Sequence, residues 1–90
     1  MRLHVLGNGC PQPLPDWYGS SFILEVGGSF LMVDCGPAAT WKMVRAGIAP
    51  LQVGHVFLTH LHFDHNADLA CLALTRWDAS TAGEPLEVYG

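Results

Sequence analysis

The chain has 90 residues, half of them hydrophobic and only 13% charged, with a formal net charge of −4. This length allows one small domain at most. The acidic balance argues against a nucleic-acid-binding face on this segment, and no apolar run reaches the roughly 20 residues of a membrane span.

Three cysteines without disulfide-framework spacing point to a reducing, cytoplasmic setting. So apolar a composition in so short a chain suits a piece whose exposed apolar surface packs on further polypeptide or on another copy. Leu3 to Leu6 reads as a first strand that ends at Gly7-Asn8-Gly9-Cys10-Pro11. Three prolines between Pro11 and Gly19 predict an irregular loop, in which Trp17 and Tyr18 either form the lip of a pocket or cover the edge of the core. Ser21 to Val26 and Ser29 to Cys35 form two strands joined at Gly27-Gly28, a hairpin signal. Phe30-Leu31-Met32-Val33 is apolar on both faces, as expected of a central strand.

Pro37 opens a helix over Ala38 to Ala46, with Gly47 at its end and Trp41, Val44 and Ile48 at helical spacing, so Trp41 is expected in the core. Val53 to Leu58 is the next strand. A helical pattern follows from Ala67 to Leu74, with Asp64 placed to cap it. Thr75 to Pro85 reads as loop, and Leu86 to Tyr89 begins another strand. Strand, hairpin, helix, strand, helix, strand is an α/β order. Cys35 and Cys71 are expected as small buried residues, and His4 and His55 as structural or surface residues. Arg76 is expected either to receive an anionic substrate or to pair with a carboxylate such as Asp78.

The chemistry concentrates in Thr59-His60-Leu61-His62-Phe63-Asp64-His65, between a buried strand and a helix. Alternate residues of an extended chain point the same way, so His60, His62 and Asp64 can line one side of the turn while His65 approaches from the start of the helix. Imidazoles and a carboxylate suit zinc and similar divalent ions. Four such donors exceed what one open catalytic ion needs. A purely structural zinc site would more usually recruit cysteines, and Cys10, Cys35 and Cys71 form no CxxC pair.

His60-x-His62-x-Asp64-His65 after an apolar strand resembles the metallo-β-lactamase superfamily. The resemblance extends through Gly7-Asn8-Gly9, Ser20-Ser21, Leu31-Met32-Val33-Asp34-Cys35-Gly36 and Phe57-Leu58-Thr59. It is nearest the ribonuclease Z-like and related phosphodiesterase branch, although Phe63 stands where ribonuclease Z proteins often place glycine. The resemblance implies the first half of a four-layer αββα sandwich, a mixed sheet with helices, so that residues 1–90 are the N-terminal portion of a single domain. It implies that His60 and His62 bind a first metal, that Asp64 and His65 bind a second, and that Asp34 braces the metal loop from behind. It further implies two divalent ions, zinc with manganese or iron as alternatives, about 3.5–4 Å apart and activating a hydroxide, with Asp64 also orienting the nucleophile or taking its proton.

The substrate implied is a phosphodiester, RNA among them. A lactone or other ester on the same fold is the alternative, and a third reading is an inactive metal-binding fragment that needs a partner chain. Members complete the site with later histidines and a bridging aspartate, and no histidine follows His65 in these ninety residues. The remaining ligands are therefore expected from a C-terminal half or from a partner.

Overall fold

The computed structural model describes residues 1–81 and 83–90. Five strands form one mixed sheet in the order of the sequence: β1 (Arg2–Asn8), β2 (Ser20–Val26), β3 (Ser29–Cys35), β4 (Val53–Phe57) and β5 (Glu87–Tyr89). The first three pair antiparallel, and β4 and β5 join in parallel. The apolar β3 is thus the central strand. Gly27 and Gly28 both take positive φ, 54° and 83°, as a tight hairpin turn with right-handed strand twist requires.

Three helices complete the described structure, α1 (Ala39–Arg45), α2 (Phe63–Asn66) and α3 (Leu69–Ala79), together with a 3₁₀ turn at Pro50–Gln52. Helix α1 ends in a Schellman motif. Gly47, at φ 84°, donates to the Val44 carbonyl (3.0 Å) and Ile48 donates to that of Met43 (2.9 Å). This returns the chain to the core through the buried Ile48. One sheet face, carrying Ile23, Met32 and Val56, packs with Ala39, Met43, Val53 and Leu72 into the core. The other face carries Leu3, Val5, Phe57 and Tyr89, all 39–57% exposed. A mixed sheet with helices on one face is the architecture expected for the first half of the sandwich.

Several expectations are corrected. Trp41 is 60% exposed and lies under Arg45, whose guanidinium carbon is 4.8 Å from the ring centroid. Ala39, Thr40 and Met43 face the core instead. Asp64 does not cap the long helix. It lies in the first turn of α2, and Asp68 precedes α3 and reaches across to accept from the Thr40 N–H of α1 (2.6 Å). Helix α3 runs to Ala79, into the stretch expected as loop, of which Ala82 lies outside the described residues. Cys71 is exposed.

Arg76 does not pair with Asp78. It is 3% exposed, and its guanidinium donates to the carbonyls of Pro50, Leu51, Val53, Glu84 and Pro85 at 2.6–3.4 Å. It ties the segment entering β4 to the segment entering β5. Cys35 is buried, and burial, followed by the charges of Asp68 and Cys71, pushes its thiol up to about 12. His4 contacts Glu25 at 3.1 Å and His55 contacts Glu87 at 3.4 Å, so both act as strand-pairing residues.

Candidate metal centre

Strand β4 delivers the histidine loop to the edge of the sheet where β3 ends. Two devices hold the loop there. The first is close backbone packing. Gly36 donates its N–H to Ser20 O (3.0 Å), and a Cβ at Gly36 would lie 2.3 Å from the Asp64 carbonyl. Only the absence of a side chain lets α2 settle onto the β2–β3 edge.

The second device is Asp34, at φ 59° and 2% exposed. Its carboxylate accepts from the Thr59 N–H (2.8 Å), from the Thr59 hydroxyl (2.8 Å to Oδ2) and from His65 Nδ1 (2.6 Å). Burial alone would raise the carboxyl pKa, but the hydrogen bonds from Thr59 and His65 hold it below the ordinary aspartate range.

These contacts decide the histidine tautomers. An ionised carboxylate only accepts, so His65 carries its proton on Nδ1 and keeps a lone pair on Nε2. Thr59 spends its single hydroxyl proton on Asp34. Its oxygen then accepts from His60 Nδ1 at 3.0 Å, and His60 too keeps its lone pair on Nε2. A second-layer carboxylate that orients an imidazole is the usual partner of a metal-ligating histidine. Sequence reasoning gave Thr59 no role and missed the packing at Gly36. The position of Thr59 beside His60 was the only signal, and nothing local marks Gly36.

The sequence-predicted donors come together. The ring centroids of His60 and His65 are 4.0 Å apart and those of His60 and His62 are 4.6 Å apart. His65 Nε2 lies 3.4 Å from Asp64 Oδ2, the spacing of two donors that share one tetrahedral ion at about 2.0–2.1 Å. Asp64 is 3% exposed, and its Oδ1 is buried without a hydrogen-bond partner. A buried carboxylate oxygen requires a donor or a cation, so the donor set fits a divalent ion. Among the described residues, no three His, Cys, Asp or Glu side chains form a closed ligand group. The imidazoles of His60 and His62, exposed on the loop, meet edge to face, and the ring of His60 is tilted by 50° against that of His65. Also among the described residues, no helix is long and apolar enough to cross a membrane.

Known proteins are similar to this chain in sequence and in fold. A ribonuclease Z of Mycobacterium marinum is 36% identical over 92 residues, covering 100% of this chain and 33% of its own. A ribonuclease Z of Mycobacterium sp. (strain KMS) is 40% identical over 91 residues, covering 100% and 32%. Human tRNase Z, short form, superposes with a TM-score of 0.88 at 30% identity over 98% of this chain and 34% of its own. The metallo-beta-lactamase fold protein YhfI of Bacillus subtilis superposes with a TM-score of 0.86 at 28% identity, covering 98% and 37%. The chain thus spans about a third of the length of these relatives. The model of the metallo-beta-lactamase superfamily matches residues 14–90, and the chain belongs to that superfamily.

Proposed function

We propose that these ninety residues are the N-terminal part of a single-domain metallohydrolase of the ribonuclease Z-like kind, acting on phosphodiesters such as RNA. The observation that carries this reading is the pairing of Asp64, with its unpartnered buried oxygen, and His65, whose Nδ1 is held by Asp34. In this reading His60 and His62 hold a first divalent ion, and Asp64 and His65 hold a second. The later segments of the chain, or a partner chain, complete both. The exposed apolar sheet face and the one-third share of the relatives' length support the single-domain assignment.

Bound ions supply Lewis acidity, which draws charge from a phosphoryl oxygen and acidifies a water. The protein's own residues do the rest. Asp34 keeps His65, and through Thr59 also His60, in the tautomer with Nε2 free. Asp64, buried and fixed by the α2 backbone, orients the attacking water and takes its proton. Exposed Phe63 and Leu61 flank the histidines in the chain.

The test uses the intact protein, stripped with a chelator and titrated with zinc, manganese or iron(II), while hydrolysis of bis(p-nitrophenyl) phosphate, RNA and a lactone is followed. Activity on the diesters should rise with two ions per chain, and His60→Ala or His62→Ala should lose one of them. Full activity without metal, or full metal content in His60→Ala, would overturn the ligand assignment. A preference for the lactone would move the enzyme to the ester-hydrolase alternative.

A further inference from the structure

The loop between β1 and β2 does more than connect strands. Gly9 N–H donates to Gly19 O (2.7 Å) and closes its neck, and Leu14 and Trp17 exchange both backbone hydrogen bonds (2.9 and 3.2 Å) around Pro15-Asp16. A Cβ at Gly9 would lie 2.7 Å from Tyr18 N, so the neck is as tight as backbone allows. The ordered loop leaves Trp17 57% exposed, with a hollow on either side. One, of about 320 Å³, is lined by Asn8, Asp16, Trp17, Tyr18 and Lys42 among others. The other shares Asn8, Leu14 and Trp17. The first is at the lower end of small-molecule sites.

Lys42 comes from α1 and lines this hollow. Its ammonium donates to Tyr18 O at 2.6 Å, which leaves two N–H groups uncommitted. Partial burial lowers its pKa, and Asp68 offsets this only in part. This partly buried cation keeps donors free for an anion. The hollow therefore presents an exposed indole, a cation with spare donors and a carboxylate that can accept from an amino group. It also abuts the histidine loop: a Cβ at Gly19, in the neck, would lie 3.5 Å from Asp64 O. Both features occupy the sheet edge formed by the end of β1, the start of β2 and the ends of β3 and β4.

We infer that this cavity is a nucleotide subsite, in which a base stacks on Trp17 with its amino edge towards Asp16 and its phosphate pairs with Lys42. The inference rests on the phosphodiester reading and adds to it a grip on a nucleotide beside the scissile bond.

Binding is measured by calorimetry on the intact, metal-stripped protein. The probes are adenosine 5′-monophosphate, adenosine, inorganic phosphate and benzoate, each alone. Trp17→Ala should weaken the monophosphate about 5- to 150-fold, the range for loss of one base–aromatic stack, and Trp17→Phe should restore most of the affinity. Lys42→Met should weaken the monophosphate and phosphate while sparing adenosine, and Lys42→Arg should retain both. Trp77→Ala, on the far face of α3, should change nothing. Monophosphate affinity unchanged in Trp17→Ala and Lys42→Met would overturn the subsite, as would benzoate binding as tightly as the monophosphate. No hydrolysis enters this readout. A protein that binds the monophosphate through Trp17 yet cleaves no diester would retire the phosphodiesterase reading alone, and an active diesterase indifferent to Trp17 would retire the subsite alone.

Discussion

Replacing Gly36 by alanine tests whether the histidine loop is placed by backbone packing. The backbone of Gly36 is not in the left-handed region, so alanine meets no conformational penalty and the perturbation is purely one of space. The added Cβ would lie 2.3 Å from Asp64 O, 2.7 Å from Ser20 N and 2.8 Å from Ser20 O. All three obstacles are main chain, which cannot rotate aside as a side chain would. Reaching even 3.0 Å would require the Asp64 carbonyl to retreat by about 0.7 Å, and it would carry Asp64 and His65 away from Asp34. Overpacking of this kind costs about 1–3 kcal/mol of stability. A 1 Å misplacement of reacting groups costs about 10²-fold in rate, so a loss of about 10- to 100-fold in kcat/KM is expected, with a matching fall in metal affinity. Chelator competition and diester hydrolysis read the two effects, and Gly54→Ala, which meets nothing within 4 Å, is the control. Metal affinity and kcat/KM within twofold of the parent in Gly36→Ala would refute the packing argument.

Two further outcomes follow from the fold. Arg76→Met should destabilise the protein by about 3–5 kcal/mol, the cost of stranding buried polar partners, whereas Arg76→Lys should lose about half as much because an ammonium cannot span five carbonyls. Denaturant midpoints decide this, and a loss below about 1 kcal/mol in Arg76→Met would show that water replaces the guanidinium freely. Cys35, buried with its thiol pushed up to about 12, should resist iodoacetamide at pH 8 in the native protein while the exposed Cys10 and Cys71 react. Peptide mapping reads the outcome, and native labelling of Cys35 would contradict its burial.

The strands and the hairpin were legible because alternation and paired glycines are local signals, and β3 was legible as central because both its faces are apolar. The histidine cluster was legible for the same reason: four donors within six residues need no tertiary information to be noticed. Helix α1 was misjudged because it is apolar on two sides. Trp41, Val44 and Ile48 keep helical spacing, but so do Ala39, Thr40 and Met43, and periodicity cannot say which stripe a flat sheet will accept. The smaller residues at 39 and 40 fit against it, and the indole is left outside. The extension of α3 was missed because Arg76 and Asp78 read as solvated polar residues, when one of them is buried. Thr59, Gly36 and Lys42 act through contacts 16 to 28 residues away in the chain, and no short window along the sequence contains both ends.

The enclosure of Arg76 has a consequence for how the sheet responds to its surroundings. Among the described residues, every hydrogen-bond acceptor of this guanidinium is a peptide carbonyl, and peptide dipoles neither titrate nor exchange counter-ions. The join between β4 and β5 is therefore fastened by an ion whose hydrogen bonds need no ionised acceptor. Acid that protonates carboxylates, or salt that screens exposed charges, leaves these hydrogen bonds in place. The strand that carries the histidine loop thus keeps its neighbour across conditions that change the charge of the loop itself.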